Sequence, residues 1–410
     1  MGRRPGELDV SPQRLRPARL AAVSTLIAVA ALALVLAGCG TIGSGSLFGH
    51  SPAEFTGASP NPSALPKTNL SALVTGLRSP SALAITPDGT ALIAAGIQLL
   101  RYRADEPLAE ISHDLPASET PGIIDLALVP GFPADPELYI CYRTSTDIRV
   151  LPMTLDATLT SAKAGPALLT GLPLPVDPTD IGCQIGFGPD GLLYVGTSDG
   201  GDPNAPQSLT SAGGKILRLD PKTSAAPADN PFADRSTDPL TKIIFSYGHR
   251  AITGMAWHPV SHQLYAIDRG PGREDEINLI ISGGNYGWNP ASRSQTSYRT
   301  DGVPMTDLAI GSARPAAYSS GDSSKRMGAA TFVAGAQWGV FDSDLAVSNL
   351  AGPRVLFMHV TGEVIGQPMT LDSVPPVGAT AALEQHPDGS LWALTSEDGP
   401  DRLVSVQVTG

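Results

Sequence analysis

One short pattern recurs along the chain and restricts its fold more than any other feature. Small and apolar residues alternate, a Pro-centred turn follows, and a second apolar run comes after it. The pattern reads Ser81-Ala-Leu-Ala-Ile-Thr-Pro-Asp-Gly-Thr-Ala-Leu-Ile-Ala-Ala95 in its clearest copy. It returns at Ile124–Phe132 with Leu138–Tyr142, at Cys183–Val195, at Gly254–Pro259 with Gln263–Ile267, and at Leu383–Leu394. A sixth copy, Ala330–Val333 with Asp344–Val347, lacks the Pro turn. Alternation with period two buries one face of a strand, and Pro-Asp-Gly supplies a fixed φ followed by a residue that tolerates positive φ, so each copy is a hairpin. Six hairpins spread over roughly 340 residues leave about 55 per unit, enough for a four-stranded blade with its loops. The chain is therefore expected to be all-β, a six-bladed β-propeller, with another closed all-β barrel as the alternative.

Composition agrees. The 44 Gly and 38 Pro suit a turn-rich fold, and 42% hydrophobic residues can build a large core, which excludes an intrinsically disordered chain. Only 16% of residues are charged, too few for a coiled coil. The formal net charge is -12, although residues 1–38 hold Arg3, Arg4, Arg14, Arg16 and Arg19 against only Glu7 and Asp9. The remainder is more acidic still and carries no basic stripe, so nucleic acid is not an expected partner.

The first segment reads as an address. A basic region through Arg19 precedes the uncharged run Leu20–Leu36, and Leu36-Ala37-Gly38-Cys39 follows. This resembles a bacterial lipoprotein signal, which implies that Cys39 is lipidated and becomes the mature N-terminus. Residues 1–38 are then the signal peptide, 39–69 a lipidated cysteine and a Gly/Ser/Pro-rich tether, and 70–410 the propeller. An uncleaved membrane helix is the alternative, since ~17 to 25 apolar residues can span a bilayer. The expected location is extracytoplasmic, anchored to the bacterial cell membrane. With Cys39 assigned to lipid, Cys141 and Cys183 remain in an oxidising compartment, where they either form one disulfide or stay as two buried thiols.

Three stretches are more specific than a repeat requires. The first is Phe187-Gly-Pro-Asp-Gly-Leu-Leu-Tyr-Val-Gly-Thr-Ser-Asp199, followed by Gly213-Gly-Lys-Ile-Leu-Arg-Leu-Asp220. The second is Ser246-Tyr-Gly-His-Arg250, and the third Arg269-Gly-Pro-Gly-Arg-Glu-Asp-Glu276-Ile-Asn-Leu with Gly283-Gly-Asn-Tyr-Gly-Trp288. In this order they resemble the glucose/sorbosone dehydrogenase family, from about Leu77 to the C-terminus. The resemblance implies a six-bladed propeller and oxidation of a sugar hydroxyl by pyrroloquinoline quinone (PQQ) with calcium, a His base taking the hydroxyl proton.

Carried over residue by residue, the resemblance gives Asp199 the role of orienting the base and Arg250 that of facing the quinone. Gly270 and Pro271 match the carbonyls that hold calcium. Other positions depart from the family. Asp180 stands where the catalytic His is expected, Thr120 replaces a cofactor-contacting Gln, and Ala251 follows Arg250 in place of Asn. Ala379 and Ala381 replace two arginines that hold the cofactor's carboxylates. A carboxylate with an unperturbed pKa near 4 is a poorer base at neutral pH than an imidazole. The expectation is a PQQ-dependent sugar or polyol dehydrogenase with an eroded cofactor site; the alternative is a non-catalytic propeller that binds a carbohydrate or an envelope protein. Two further pairs invite bland readings: Asp275 and Glu276 brace a loop, and His258 and His262 are separated by Pro259 in strand context, which argues against a metal pair.

Overall fold

The computed structural model describes residues 65–115, 122–176, 182–293, 303–352, 354–371, 380–395 and 401–409. The expected signal, Cys39 and most of the tether lie outside them, as do Thr120, Asp180 and Ala379. Six inner strands stand around a common axis: Pro80–Ile85, Gly122–Leu128, Cys183–Phe187, Ile252–Trp257, Met327–Val333 and Thr380–Gln385. Each packs against the next, and the sixth returns to the first. Behind each inner strand the chain runs outward in antiparallel steps, giving four strands in the third blade (Cys183–Phe187, Leu193–Thr197, Lys215–Leu219, Ile244–Tyr247) and in the fourth. This is a six-bladed β-propeller.

The hairpins form for reasons local to the repeat. In three copies the residue before Pro-Asp-Gly bonds to the residue after it, Thr86 N to Thr90 O at 2.9 Å, Gly188 N to Leu192 O at 3.0 Å and His386 N to Ser390 O at 2.9 Å. The glycines sit at φ +85, +74 and +87°, where a side chain would be strained. The Asp carboxylate accepts from the amide two residues on, at 3.2 Å for Thr90, 3.1 Å for Leu192 and 2.8 Å for Ser390. Turn, aspartate and glycine thus fix one register three times over.

No blade buries its apolar face alone. Leu92, Leu99 and Ile111 of the first blade share a core with Leu138, Ile140 and Met153 of the second, and Leu193, Val195 and Leu217 of the third pack with Tyr139 and Val150 of the second. The ring closes through Lys67–Leu77, which pairs antiparallel with Asp401–Thr409 as the outer strand of the sixth blade. This strand starts before the tether boundary drawn at Leu70, and Leu70 lies within it opposite Val406.

Cys141 and Cys183 are joined by a disulfide, with Cα atoms 6.3 Å apart. It ties the second strand of the second blade to the inner strand of the third. By chain-entropy arithmetic, a bridge that closes 42 residues stabilises by about 4 kcal/mol at most. Replacing both cysteines by Ala is expected to lower unfolding free energy by roughly 2–4 kcal/mol in urea titration; an unchanged midpoint would show that the bridge adds nothing.

Candidate functional site

Arg250 lies just before an inner strand begins, while Asp199, Gly270 and Pro271 follow the second strands of two blades. Those positions share one face of the ring, and the Pro-Asp-Gly turns occupy the other. The loop after Leu193–Thr197 is gathered by Lys215, whose fully buried ammonium donates to Ala205 O at 2.7 Å, Pro206 O at 3.0 Å and Gly213 O at 2.6 Å. Burial pulls the Lys215 amine down to about 7, opposed by the charge of Asp199. Three carbonyl acceptors favour the ammonium, which alone can supply three donors.

Asp199 is buried at the head of this loop. Its Oδ2 accepts from Trp288 Nε1 at 2.8 Å and its Oδ1 from Gly201 N at 3.0 Å, while its own amide donates to Arg250 O at 2.8 Å. The carboxylate therefore forms the turn that Asp-Gly-Gly suggests and also orients a tryptophan from the next blade. Trp288 N donates to Gly248 O at 2.8 Å. Gln207 and Asn285 exchange two amide bonds at 3.0 and 2.9 Å, which join the Asp199 loop to the Asn-Tyr-Gly-Trp segment.

Arg250 is held along its backbone and at its tip. Asp268 accepts from Arg250 N at 3.1 Å and Ala251 N at 2.8 Å, and Arg250 Nη1 donates to Arg269 O at 2.7 Å. That last bond brings Arg250 against the Gly270–Pro271 loop. The same Asp268 lies 3.1 Å from His249 Nδ1, and His249 Nε2 lies 2.8 Å from Ser246 Oγ. The arrangement mimics a nucleophilic triad, but all three side chains are buried and His249 is stacked on Tyr286 at 4.6 Å, so no substrate reaches the hydroxyl. Its work is to fix the backbone that carries Arg250.

Gly270 has no room for a side chain: a Cβ would lie 1.7 Å from Arg273 O. Asp275, fully buried, closes this tight loop by accepting from Gly270 N at 3.0 Å, Ser324 Oγ at 2.9 Å and Met327 N at 3.1 Å. The carbonyls of Gly270 and Pro271 accept no hydrogen bond among the described residues, which leaves them to a hard cation. Two carbonyls are only part of the donor set of calcium, which takes six or more oxygens, and no cluster of His, Cys, Asp or Glu among the described residues completes it. The carboxylates of PQQ are a different matter: Ala381 packs against the apolar cluster of Val74, Leu77, Leu83 and Trp392, where it offers no charge.

Sequence reading singled out Asp199, Arg250, Gly270 and Pro271, and the fold brings these together. It passed over Lys215, Trp288, His249 and Asp268. A lysine opening the apolar strand Lys-Ile-Leu-Arg-Leu was the available signal for the first, since buried lysines are rare unless paired. His258 Nδ1 accepts from Val260 N at 3.1 Å and Ser261 N at 3.2 Å, which places it in the turn after the fourth inner strand.

Glu276 lies beside this network, directly across the strand pair from Asp268. Burial first, and Asp268 second, push its carboxyl up to about 8. Thr306 Oγ1 donates to Oε1 at 2.9 Å, and Asn278 Nδ2 lies 3.3 Å from Oε2, while Asn278 Oδ1 is buried without a partner. With the amide turned over, a protonated Glu276 could donate to the Asn278 oxygen.

The chain matches the sequence profile described as Glucose / Sorbosone dehydrogenase over residues 77–404. It is 30% identical to the protein slr1608 of Synechocystis sp. over 301 residues, 65% of this chain and 71% of that one. It is 27% identical to the aldose sugar dehydrogenase YliI of Escherichia coli over 355 residues, 82% of this chain and 92% of that one. The PQQ-bound aldose sugar dehydrogenase of Streptomyces coelicolor superposes with a TM-score of 0.66 at 25% identity, covering 84% of this chain and 100% of that one.

A folded-state pKa raised above the unfolded value near 4.5 means that Glu276 holds a proton the unfolded chain has lost. Stability from this group is complete below the unfolded pKa and declines as pH rises through about 8. Glu276→Gln is expected to match the wild type under acid conditions and to exceed it in alkali by on the order of 1–4 kcal/mol, measured by denaturant unfolding across pH. Parallel pH profiles would refute a protonated Glu276.

Proposed function

The chain belongs to the glucose/sorbosone dehydrogenase family, and on that premise we propose that it is a cell-envelope lipoprotein with a reduced cofactor site, in which PQQ binds weakly or not at all and oxidation of a sugar or polyol is correspondingly weak or lost. The observation that carries this reading is Ala381, seated in an apolar cluster at a position where the family has an arginine for the cofactor's carboxylates. PQQ bears three carboxylates, and each missing charge-assisted contact removes roughly 1.5–3 kcal/mol of binding. Ala379 and Thr120 extend the same departure in sequence, and Asp180 supplies a carboxylate in place of the imidazole base.

What remains supports descent from such a site. Asp199 and Arg250 stay coupled through one backbone hydrogen bond, and the Gly270–Pro271 loop would hold calcium through its two carbonyls. A calcium ion there would supply positive charge to an oxygen-rich ligand. The non-catalytic alternative uses the same face to bind a sugar, a polyol or an envelope protein.

Anchoring through a lipid on Cys39 is part of the proposal. Leu77 leads directly into the inner strand beginning at Pro80, on the Asp199 face, so Lys67 at the other end of its strand lies toward the Pro-Asp-Gly face. A tether joined there would enter the propeller on the face opposite Asp199 and Arg250.

The test is PQQ titration in calcium buffer of the chain from residue 39 onward with Cys39 replaced, followed by dye reduction with a panel of aldoses and polyols. We expect no saturable binding in the micromolar range and no sugar-dependent turnover. Micromolar affinity with turnover would overturn the proposal. Asp180→His is expected to gain no activity, because the arginine losses dominate over the base.

A further inference from the structure

A cavity of about 450 Å3 opens between the inner strands on the Pro-Asp-Gly side of the ring, remote from Asp199 and Arg250. It is lined by the last residues of the inner strands, among them Leu128, Phe187, Trp257, Phe332 and Glu384. Its aromatic rings are fixed from the blade side. Phe187 meets Tyr139 edge-on at 5.3 Å, Trp257 meets Tyr194 at 5.4 Å, and Phe332 meets Tyr265 at 5.9 Å. Trp257 also lies over Gly186, where a Cβ would come within 2.7 Å of the indole.

Glu384 is the one ionisable residue in this lining, and its carboxyl makes no hydrogen bond or ion pair among the described residues. The charge that acts on it is another carboxylate, Asp125, which is held by Ile185 N at 2.7 Å and Leu126 N at 2.9 Å. Burial, then Asp125, push Glu384 up to about 8, and burial raises Asp125 to about 7. Among the described residues neither group has a counter-charge, in surroundings where an unpaired carboxylate is costly. Aromatic walls beside a lone carboxylate do not suit a hard metal ion, which needs six or more oxygens for calcium. They suit a cation with an apolar body, which gains from contact with the aromatic side chains and from the carboxylate together.

We propose that this cavity binds a small organic cation of the alkyl- or arylammonium class, its charge set against Glu384 and its apolar part against Phe187, Trp257 and Phe332. The site lies on the face opposite Asp199 and Arg250.

The probe is benzyltrimethylammonium, titrated calorimetrically into the full-length chain in a neutral detergent under mildly alkaline conditions, with benzyl alcohol and benzoate as neutral and anionic counterparts. The cation is expected to bind and the counterparts to bind at least about tenfold more weakly. Glu384→Gln is expected to weaken the cation by a similar factor. Thr331→Lys, which places an ammonium in the same cavity, is expected to abolish binding. Thermal melts establish that both variants fold, and if one does not, the other decides. Equal binding of benzyl alcohol, or cation binding unchanged in the folded variant, would overturn the proposal.

Discussion

The pairing of Lys67–Leu77 with Asp401–Thr409 is the constraint on which the propeller depends. Six twisted sheets around an axis have neighbours on both sides only if the ring is closed. Here the two ends of the folded chain close it with backbone hydrogen bonds rather than with side-chain packing alone. Apolar clusters then run continuously from blade to blade: Leu70 and Val408 pack beside Trp338 and Phe357 of the fifth blade, while Val74 and Leu77 pack beside Leu83 and Ile93 of the first. Without that strand the sixth blade would expose its outer edge, and two cores would lose one wall.

Closure also determines where chemistry can happen. Every inner strand runs in the same direction from one face to the other, so residues before inner strands and after second strands converge on one side. Asp199, Arg250 and Gly270 meet there although 71 residues separate the first from the last. Each bond that joins them has a main-chain group at one end at least: Asp199 N to Arg250 O, Arg250 Nη1 to Arg269 O, and Gly270 N to Asp275 Oδ1. Contacts that end on the main chain do not depend on which side chains line the rest of the ring, so this face keeps its shape when those side chains change.

The repeat made most of the fold legible because its physics is local. Alternation, Pro-Asp-Gly and the turn aspartate act within a dozen residues, and the hairpins at Thr86, Gly188 and His386 form by the same bonds. Lys67–Leu77 was harder to read, since its partner lies more than 300 residues away and nothing near Lys67-Thr-Asn marks a strand. In the site, the glycines and prolines were readable by their motifs. Asp268 and Lys215 were not, because a buried charge is recognised by the carbonyls and amides around it, and these arrive from loops whose path only the fold defines. Burial likewise decides the meaning of Ser246, His249 and Asp268, which spacing alone leaves open.

The strand that closes the ring also has a mechanical character. Its hydrogen bonds to Asp401–Thr409 lie across the strand direction. A pull on the chain upstream of Lys67, directed along the strand, therefore loads the ladder in shear, so that many bonds resist together instead of opening one after another. A propeller pulled through its first strand in this way shares the load across the ring-closing ladder.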